Sequence, residues 1–310
     1  FKQKTAYEIR LSLVGSEMCI RDSLLQASLL DLLYELKDTG IRLILGGGYG
    51  LYQKRFHAIQ AQQAGARLVL SPVPPARSTN DLDLFLRTEI IADAGQTKQL
   101  RGALDRLGYV VIERAKFYQF VRTLAVGTNW YEVKIDFLTK RPDIALYPTL
   151  QVDSRRVRPK QSTGLHAHTT EEAAAIEEMP LEITLTGPRT NGEIFTASFF
   201  VPHAYPFLMM KLFAFRDQKE NAEKEYGREH AFDLYTLVSI LSEEEFEEAK
   251  VLAKQYASLP VALEAAEIVA TLFGTSNSLG ILRLKEHRLF SLSAETERFM
   301  TILSAVFSVN

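Results

Sequence analysis

The stretch that decides the fold reads Arg77-Ser78-Thr79-Asn80-Asp81-Leu82-Asp83-Leu84. Polar and apolar residues alternate from Asp81 to Arg87, which predicts a β-strand. Because residues i and i+2 of a strand face the same side, we expect the two aspartates to share one face while the leucines face the core. Two like charges this close are costly unless a cation lies between them, and Mg²⁺ prefers carboxylate oxygens. The pair is therefore a candidate metal site, and a solvated edge strand is the alternative.

A third carboxylate follows in Lys134-Ile135-Asp136-Phe137, again between apolar neighbours in a predicted strand over 131–138. If this strand lies beside the first, Asp136 joins Asp81 and Asp83. Three such acids are able to hold two metal ions about 3.5–4 Å apart, one at the nucleophile and one at a leaving phosphate. The alternative is a simple ion pair of Asp136 with Lys134.

A glycine turn, Leu45-Gly46-Gly47-Gly48-Tyr49, lies between a predicted strand over 42–45 and a predicted helix over about 50–63. Glycines at such a turn let backbone N–H groups approach a phosphate, and the helix dipole favours an anion there. Triple glycine alone is also common in tight turns. The order of glycine turn, Asp-x-Asp strand and later Asp strand is a much stronger signal than any one of the three.

With these motifs the chain resembles the polymerase-β-like nucleotidyltransferase superfamily, and within it the AbiEii/AbiGii-type toxin branch. The branch also has a Lys-Leu-x-Ala helix and a later Asp-Leu motif, which correspond here to Lys211-Leu212-Phe213-Ala214 and Asp233-Leu234. The resemblance covers about residues 41–240. It implies that Asp81, Asp83 and Asp136 are catalytic residues and ligands of two Mg²⁺ ions, with an NTP as substrate.

The same resemblance implies roles for five further residues. Gly47 and Gly48 would cradle the triphosphate, and Arg77 would neutralise phosphate charge with its bidentate guanidinium. Lys211 would bind the triphosphate from the helical lobe, and Asp233 would support or line that helical face. A surface lysine with a partly buried stem is the alternative for Lys211.

The chain departs from the family pattern in two ways. The glycine turn and the acid pair are separated by about 30 residues, which is longer than usual, and the excess lies around 60–76. The residue after Gly-Gly, commonly Ser or Thr in the superfamily, is Tyr49, so a hydroxyl contact to phosphate at that position is doubtful. Neither departure removes a predicted metal ligand.

The composition excludes several classes of protein. Of 310 residues 46 % are hydrophobic and 24 % charged, which is typical of a globular protein. The net charge of −2 argues against binding nucleic acid through bulk charge. No apolar run approaches the roughly 18 residues of a membrane span. The single cysteine, Cys19, forms no internal disulfide, so we expect a cytoplasmic protein with no membrane partner.

The first 23 residues form a separate question. Residues 7–23 resemble translated sequencing-adapter read-through, and such segments are excluded from fold reasoning. A real amphipathic segment is the alternative. We favour the artefact and expect 1–23 to be disordered or foreign to the fold.

The remaining chain predicts an α+β fold of the nucleotidyltransferase type, a mixed sheet with helices, followed by an all-helical lobe. We expect a catalytic domain over 24–201 and a helical domain over 202–310. A helix over 24–37 with leucines at helical spacing opens the first, and a hairpin around Asn191-Gly192 ends it. Periodicity is poor over 139–180, and residues 241–310 match no motif of the family.

Two further motifs have simple explanations. Residues 154–160 hold four basic side chains, which form either an exposed loop or a contact for RNA phosphates. His166 and His168 lack a frame of thiols or acids, and we expect a solvated loop.

We therefore expect a transferase that moves NMP from an NTP to a hydroxyl acceptor. By resemblance the acceptor is RNA, with tRNA the expected class, and the setting is a bacterial toxin–antitoxin or abortive-infection system with a cognate antitoxin. The alternatives are a small-molecule transferase of the antibiotic-modifying kind and a non-catalytic, nucleotide-binding antitoxin-like partner.

Overall fold

The computed structural model describes residues 6–77, 79–115, 117–291 and 294–308, with side chains from Ile20 onward. Within these ranges a mixed β-sheet is combined with helices, so the predicted α+β class is confirmed. The first half of the chain alternates strands and helices, and the part after Pro202 is helical.

The helices and strands have the following bounds. The α-helices within the described ranges are α1 Ala6–Leu36, α2 Gly47–Gln63, α3 Thr88–Ala92, α4 Ala94–Arg106, α5 Ala204–Gln218, α6 Arg228–Ser239, α7 Glu243–Tyr256, α8 Pro260–Leu272, α9 Leu279–Lys285 and α10 Thr296–Phe307. The strands there are β1 Ile44–Leu45, β2 Asp81–Phe85, β3 Val110–Val111, β4 Gln119–Val126, β5 Asn129–Lys140, β6 Leu150–Asp153, β7 Arg156–Pro159, β8 Ala167–Thr170, β9 Leu181–Pro188 and β10 Ile194–Val201.

One sheet contains all of these strands, in the order β6-β7-β8-β5-β2-β1-β10-β9, and β4 and β3 continue from β5 on a side branch. The pairs β2–β5, β5–β8 and β1–β10 are parallel, and the hairpin pairs are antiparallel. The two candidate acid-bearing strands, β2 and β5, are thus direct neighbours near the middle of the sheet.

Helix α1 covers the sheet with a stripe of leucines. The predicted positions are all buried: Leu25, Leu29, Leu32, Leu33 and Leu36. The helix is longer than predicted. It begins at Ala6 instead of residue 24, and its backbone is continuous to Leu36. Residues 1–5 lie outside the described ranges, and the assignment of 1–23 to an artefact stays a prediction.

The helices after Pro202 build a second apolar core around α5. This helix is buried on nearly all sides, because α6, α7 and α8 surround it. Its polar exception, Lys211, is 6 % exposed. Leu51 and Ala58 of α2 belong to the same core, so α2 packs against both the sheet and the helical part.

The weakly periodic segment 139–180 contains β6, β7 and β8, which the sequence did not predict. Each has four residues, too few for a clear alternation. The short helices α3 and α9 were also missed. In the part of the chain that the structure describes, no helix combines the length and the apolar character that crossing a membrane requires.

Candidate active site

The acid pair lies on β2 with the predicted alternation. Leu82 and Leu84 are fully buried on one face of the strand. Asp81 and Asp83 are half-buried on the opposite face. The local sequence dictates this arrangement, because a strand of period two separates the polar and apolar side chains.

Asp136 is brought to the same face by the parallel pairing of β2 with β5. In this register Asp83 lies directly opposite Asp136, and Asp81 lies directly opposite Lys134. Side chains of residues that are paired across a sheet point to the same side. The structure therefore gathers the three predicted carboxylates on one face of two adjacent strands.

The electrostatics of the three acids show that they crowd one another. Burial and the nearby charge of Asp83 together raise the pKa of Asp136 to about 7, although a hydrogen bond from Gln119 Nε2 at 2.8 Å acts to lower it. Burial and the charge of Asp81 also raise the pKa of Asp83. Carboxylates with raised pKa values form a donor set that binds a hard cation in exchange for protons.

The glycine turn lies against the acids. Gly46 N donates a hydrogen bond to the backbone oxygen of Asp83 at 2.8 Å, which ties the turn to β2. Gly47 has a φ of +61°, and a Cβ at this position would overlap the Asp83 carboxylate. A Cβ on Gly48 would lie 2.8 Å from Thr79 Oγ1. Both positions thus require glycine, and the N-terminus of α2 lies beside the Asp83 carboxylate.

Two cations are held beside the acids by one buried carboxylate. Asp233 on α6 is fully buried and accepts hydrogen bonds from Arg77 Nε at 2.5 Å, Arg77 Nη2 at 2.7 Å and Lys211 Nζ at 2.7 Å. Despite its burial, the charges of Lys211 and Arg77 hold the pKa of Asp233 well below its ordinary value. Asp233 therefore stays ionised and fixes both cations.

The same cations also act on the acid pair. Burial raises the pKa of Asp83, and the charges of Lys211 and Arg77 lower it. Arg77 additionally contacts Glu229, with Nε 3.2 Å from the carboxylate oxygen. Lys211 and Arg77 thus form the positive side of the site, opposite the negative face of β2 and β5.

The long segment between the glycine turn and the acids packs on the helical part. Val69 N donates to Leu241 O at 2.9 Å, and Leu70 belongs to the helical core. Further along, Arg55 Nε donates to Pro74 O at 2.6 Å. The extra residues anchor the chain just before Arg77. Ser78, in the middle of the motif, lies outside the described residues.

Tyr49, the residue after Gly-Gly, is turned into the core. Its side chain is 1 % exposed and stacks on Tyr52 with a centroid distance of 5.7 Å. Burial raises the pKa of Tyr49 far above its ordinary value. A hydroxyl contact to phosphate is absent from this position as the residue is placed, in agreement with the doubt that the sequence raised.

The other polar motifs lie apart from the acids, or their charges are neutralised by neighbouring side chains. Arg156 and Arg158 both form ion pairs with Asp153, at 2.9 and 3.3 Å. His168 is on β8, opposite Leu138, rather than in a loop. Burial lowers the pKa of His230 to about 4, so this side chain is neutral beside Lys211.

Sequence reasoning missed three polar residues of the site. Gln119 holds Asp136, Glu229 contacts Arg77, and Thr79 lies against Gly48. Of the three, only Gln119 could be predicted from strand register, because it lies opposite Asp136 in the hairpin of β4 and β5. The other two depend on tertiary packing.

Among the described side chains, no three His, Cys, Asp or Glu residues already have the close spacing of a metal-binding group. A scan against protein-family models and searches of curated proteins and of solved structures found no match to this chain. The residues and their geometry are therefore the basis for any functional conclusion.

Proposed function

We propose that the protein is a metal-dependent nucleotidyltransferase that moves NMP from an NTP to a hydroxyl acceptor. The observation that carries the proposal is the register that sets Asp83 opposite Asp136, with the glycine turn against Asp83. In the transfer, the acceptor oxygen forms a bond to the α-phosphorus, the bond from that phosphorus to the bridging oxygen breaks, and pyrophosphate leaves. The hydroxyl proton passes to a base or to solvent.

The acids suit a pair of divalent cations in their chemistry. Asp81, Asp83 and Asp136 would hold the ions, and their oxygens match the preference of Mg²⁺. When bound, Mg²⁺ lowers the pKa of an attacking hydroxyl and stabilises charge on the phosphates. The raised pKa values of the acids support this assignment, because a cation removes the repulsion that keeps protons on them.

Asp136 has the properties of a proton acceptor. Its pKa is about 7 without metal, and a bound cation would lower that pKa, so that the carboxylate would be ionised at neutral pH and able to accept a proton. The amide of Gln119 holds one carboxylate oxygen at 2.8 Å and leaves the other oxygen for a ligand or a proton. Asp136 would thus orient the acceptor and take its proton.

The triphosphate would bind between the turn of α2 and the two cations. N–H groups at a helix N-terminus bind phosphate oxygens, and the dipole adds favourable charge. Asp233 holds Arg77 and Lys211 at fixed positions and, with Glu229, neutralises much of their charge, so that both side chains would act mainly as oriented hydrogen-bond donors. Such preorganised donors bind a phosphate without the cost of reordering long side chains.

The biological setting is part of the proposal. By the resemblance of its motifs, we propose a cytoplasmic bacterial toxin that modifies RNA, with tRNA the expected acceptor, and that is neutralised by a cognate antitoxin. A small-molecule acceptor is the second candidate. It is favoured by one observation: Asp153 already pairs with Arg156 and Arg158, which reduces the charge available to RNA phosphates.

The test is transfer of radioactive NMP by the purified full chain with Mg²⁺, offering total bacterial RNA and, separately, an aminoglycoside. We expect labelled RNA, and about a hundredfold loss or more in Asp83→Asn and Asp136→Asn, because metal ligands matter at least as much as the groups that orient them. Asp38→Asn, an exposed change of the same type just after α1, is the matched control. Labelled aminoglycoside would favour the second candidate, and label that survives both Asn variants would overturn the proposal.

A further inference from the structure

A trench of about 220 Å³ opens beside Asp81, between α1 and the start of β5. Its lining includes Asn80, Asp81, Trp130 and Lys134, and also Arg21 of α1, whose Nη1 donates a hydrogen bond to Asn80 Oδ1 at 2.6 Å. The triphosphate site proposed above lies at the glycine turn, where Gly48 is against Thr79, and Thr79 also lines the trench. The trench is therefore a second opening to the same reacting centre.

Trp130 forms the far end of this trench and is 74 % exposed. It lies on β5 at an even position, so it shares its face with Lys134 and Asp136. Its cross-strand partner is Ala125, whose methyl group leaves the indole uncovered. A large apolar side chain that is left open beside a polar cleft indicates a binding surface.

The distance from the Trp130 indole to the acids is greater than the length of a ligand with a single small ring. Trp130 precedes Lys134 by four residues, which is about 13 Å along a strand, and Lys134 lies opposite Asp81. A ligand that contacts both the ring and the acids must therefore be elongated.

The chemistry between the two ends suits a nucleic-acid strand. Lys134 is 45 % exposed, and its Nζ is 4.0 Å from Glu132, so the ammonium remains accessible to a phosphate. Asn80 supplies its amide NH₂ group beside Asp81, since its Oδ1 accepts a hydrogen bond from Arg21. An aromatic plate, a lysine and an amide in a row are the groups that bind unpaired nucleotides, by stacking on the base and contacting the backbone.

We propose that this trench holds the unpaired 3′ end of the acceptor RNA, with one base stacked on Trp130 and the terminal hydroxyl beside Asp81. The inference rests on the proposed function and assigns the acceptor to a specific surface. Its specificity-determining residue is Trp130, which touches substrate but not the reacting atoms. A paired end fits less well, because its bases stack on their neighbours and only the outer face of the last base pair is open to the ring.

The single tryptophan makes the inference directly measurable. The full chain, without NTP, is titrated with a twelve-nucleotide single-stranded RNA while tryptophan fluorescence is recorded. We expect saturable quenching that weakens as salt rises, because stacking is accompanied by phosphate contacts. A blunt RNA hairpin and an aminoglycoside, tested in the same way, are expected to cause much less quenching at the same concentration.

Variants supply the kinetic counterpart. Trp130→Ala is expected to raise the KM for RNA about fivefold or more while the KM for NTP stays unchanged, whereas Trp130→Phe keeps most of the affinity. Phe56→Ala removes an aromatic side chain that is 53 % exposed on α2 outside the trench, and is the matched control.

The outcomes separate this inference from the proposed function. Quenching by single-stranded RNA without any NMP transfer would support the trench and contradict the transferase. Transfer to RNA without quenching, or with an unchanged KM in Trp130→Ala, would overturn the trench and leave the transferase standing. Equal quenching by the hairpin or by the aminoglycoside would also overturn the inference.

Discussion

Gly47 and Asp83 are in such close contact that the Asp83 carboxylate occupies the space that a Cβ on residue 47 would need. This contact joins the glycine turn to the acid pair, and it depends on a positive φ as well as on the missing side chain. Gly47 and Asp83, which are 36 positions apart in the sequence, thus belong to a single structural unit.

Gly47→Ala is therefore expected to displace the Asp83 carboxylate and to abolish transfer. Two costs add in this variant, the strain of an L-residue at φ +61° and the overlap with Asp83. The first is about 1–2 kcal/mol, and the second requires β2 or the turn to shift. The measurement is kcat for transfer together with Tm.

Gly40→Ala separates the two costs. Gly40 has a φ of +73° and nothing within 4 Å of its ideal Cβ, so only the strain applies. We expect a similar loss of Tm from strain and full activity. Equal activity of the two variants would show that the contact with Asp83 is not needed for transfer.

Stability is expected to depend on pH through Asp136. The pKa of this residue is raised from 3.8 to about 7 in the folded protein, so the folded state binds the proton more tightly than the unfolded state. The cost of ionising Asp136 therefore accumulates as pH rises from about 4 to about 7 and is complete above that range. Asp136→Asn removes this cost and should raise Tm at pH 8 but not at pH 4.

Glu132→Gln on the same face of β5 is the control, because Glu132 is exposed and lies away from Asp83. Mg²⁺ should raise the Tm of the parent at pH 8 and have a much smaller effect on Asp136→Asn. A Tm of Asp136→Asn that follows the parent at both pH values would contradict the crowding of the acids.

Asp233→Asn is expected to destabilise the protein by about 3–5 kcal/mol, because it leaves the buried charges of Arg77 and Lys211 without their shared partner. The pKa of Asp233 is depressed in the folded state. Its stabilisation is thus present above the unfolded pKa near 3.8 and is lost as pH falls below it. Urea unfolding at pH 7 and at pH 3 measures the difference between parent and variant, which should shrink at pH 3.

Asp153→Asn is a matched control for this prediction. Asp153 also faces two arginines, but its side chain is 34 % exposed. Solvent screens such pairs, so we expect a much smaller loss of stability than in Asp233→Asn. Comparable losses would show that burial is not what makes the Asp233 cluster important.

The sequence predicts the acid face well because each part of it is local. Alternation places Asp81 and Asp83 on one side of β2, and the same rule applies to Asp136 on β5. What alternation leaves open is the register between strands, and that register sets Asp83 opposite Asp136. Hence the sequence predicts a gathering of acids but not its geometry.

Features made by packing between distant segments escape sequence reasoning. Lys54 follows Gln53 and precedes Arg55 in a polar stretch of α2, which by pattern is a solvated face. Its burial arises only because the helical part closes over α2. For the same reason the sequence does not predict the strand β6, because its four residues form a strand only by pairing with β7.

Lys54 and Glu245 supply the last prediction. Lys54 is 2 % exposed, and its Nζ donates to Glu245 Oε1 at 2.6 Å and to Pro202 O at 3.1 Å. Glu245 Oε1 also accepts from Ala204 N at 2.9 Å. The pair thus links α2 to the starts of α5 and α7. Lys54→Met should cost about 3–5 kcal/mol, because Glu245 remains buried without its cation.

A double-mutant cycle tests this link. Lys54→Met with Glu245→Met removes both charges, and we expect it to recover most of the stability lost in the single variant. Lys250→Met is the matched control, because Lys250 pairs with Glu247 at 2.6 Å on the exposed side of α7 and should contribute only about 0.5 kcal/mol. Chemical unfolding gives the free energy of unfolding of the parent, of Lys54→Met, of Glu245→Met and of the double variant. Additive effects of the two Met substitutions would show that Lys54 and Glu245 do not stabilise each other, and the junction of α2 with the helical part would then depend on apolar packing alone.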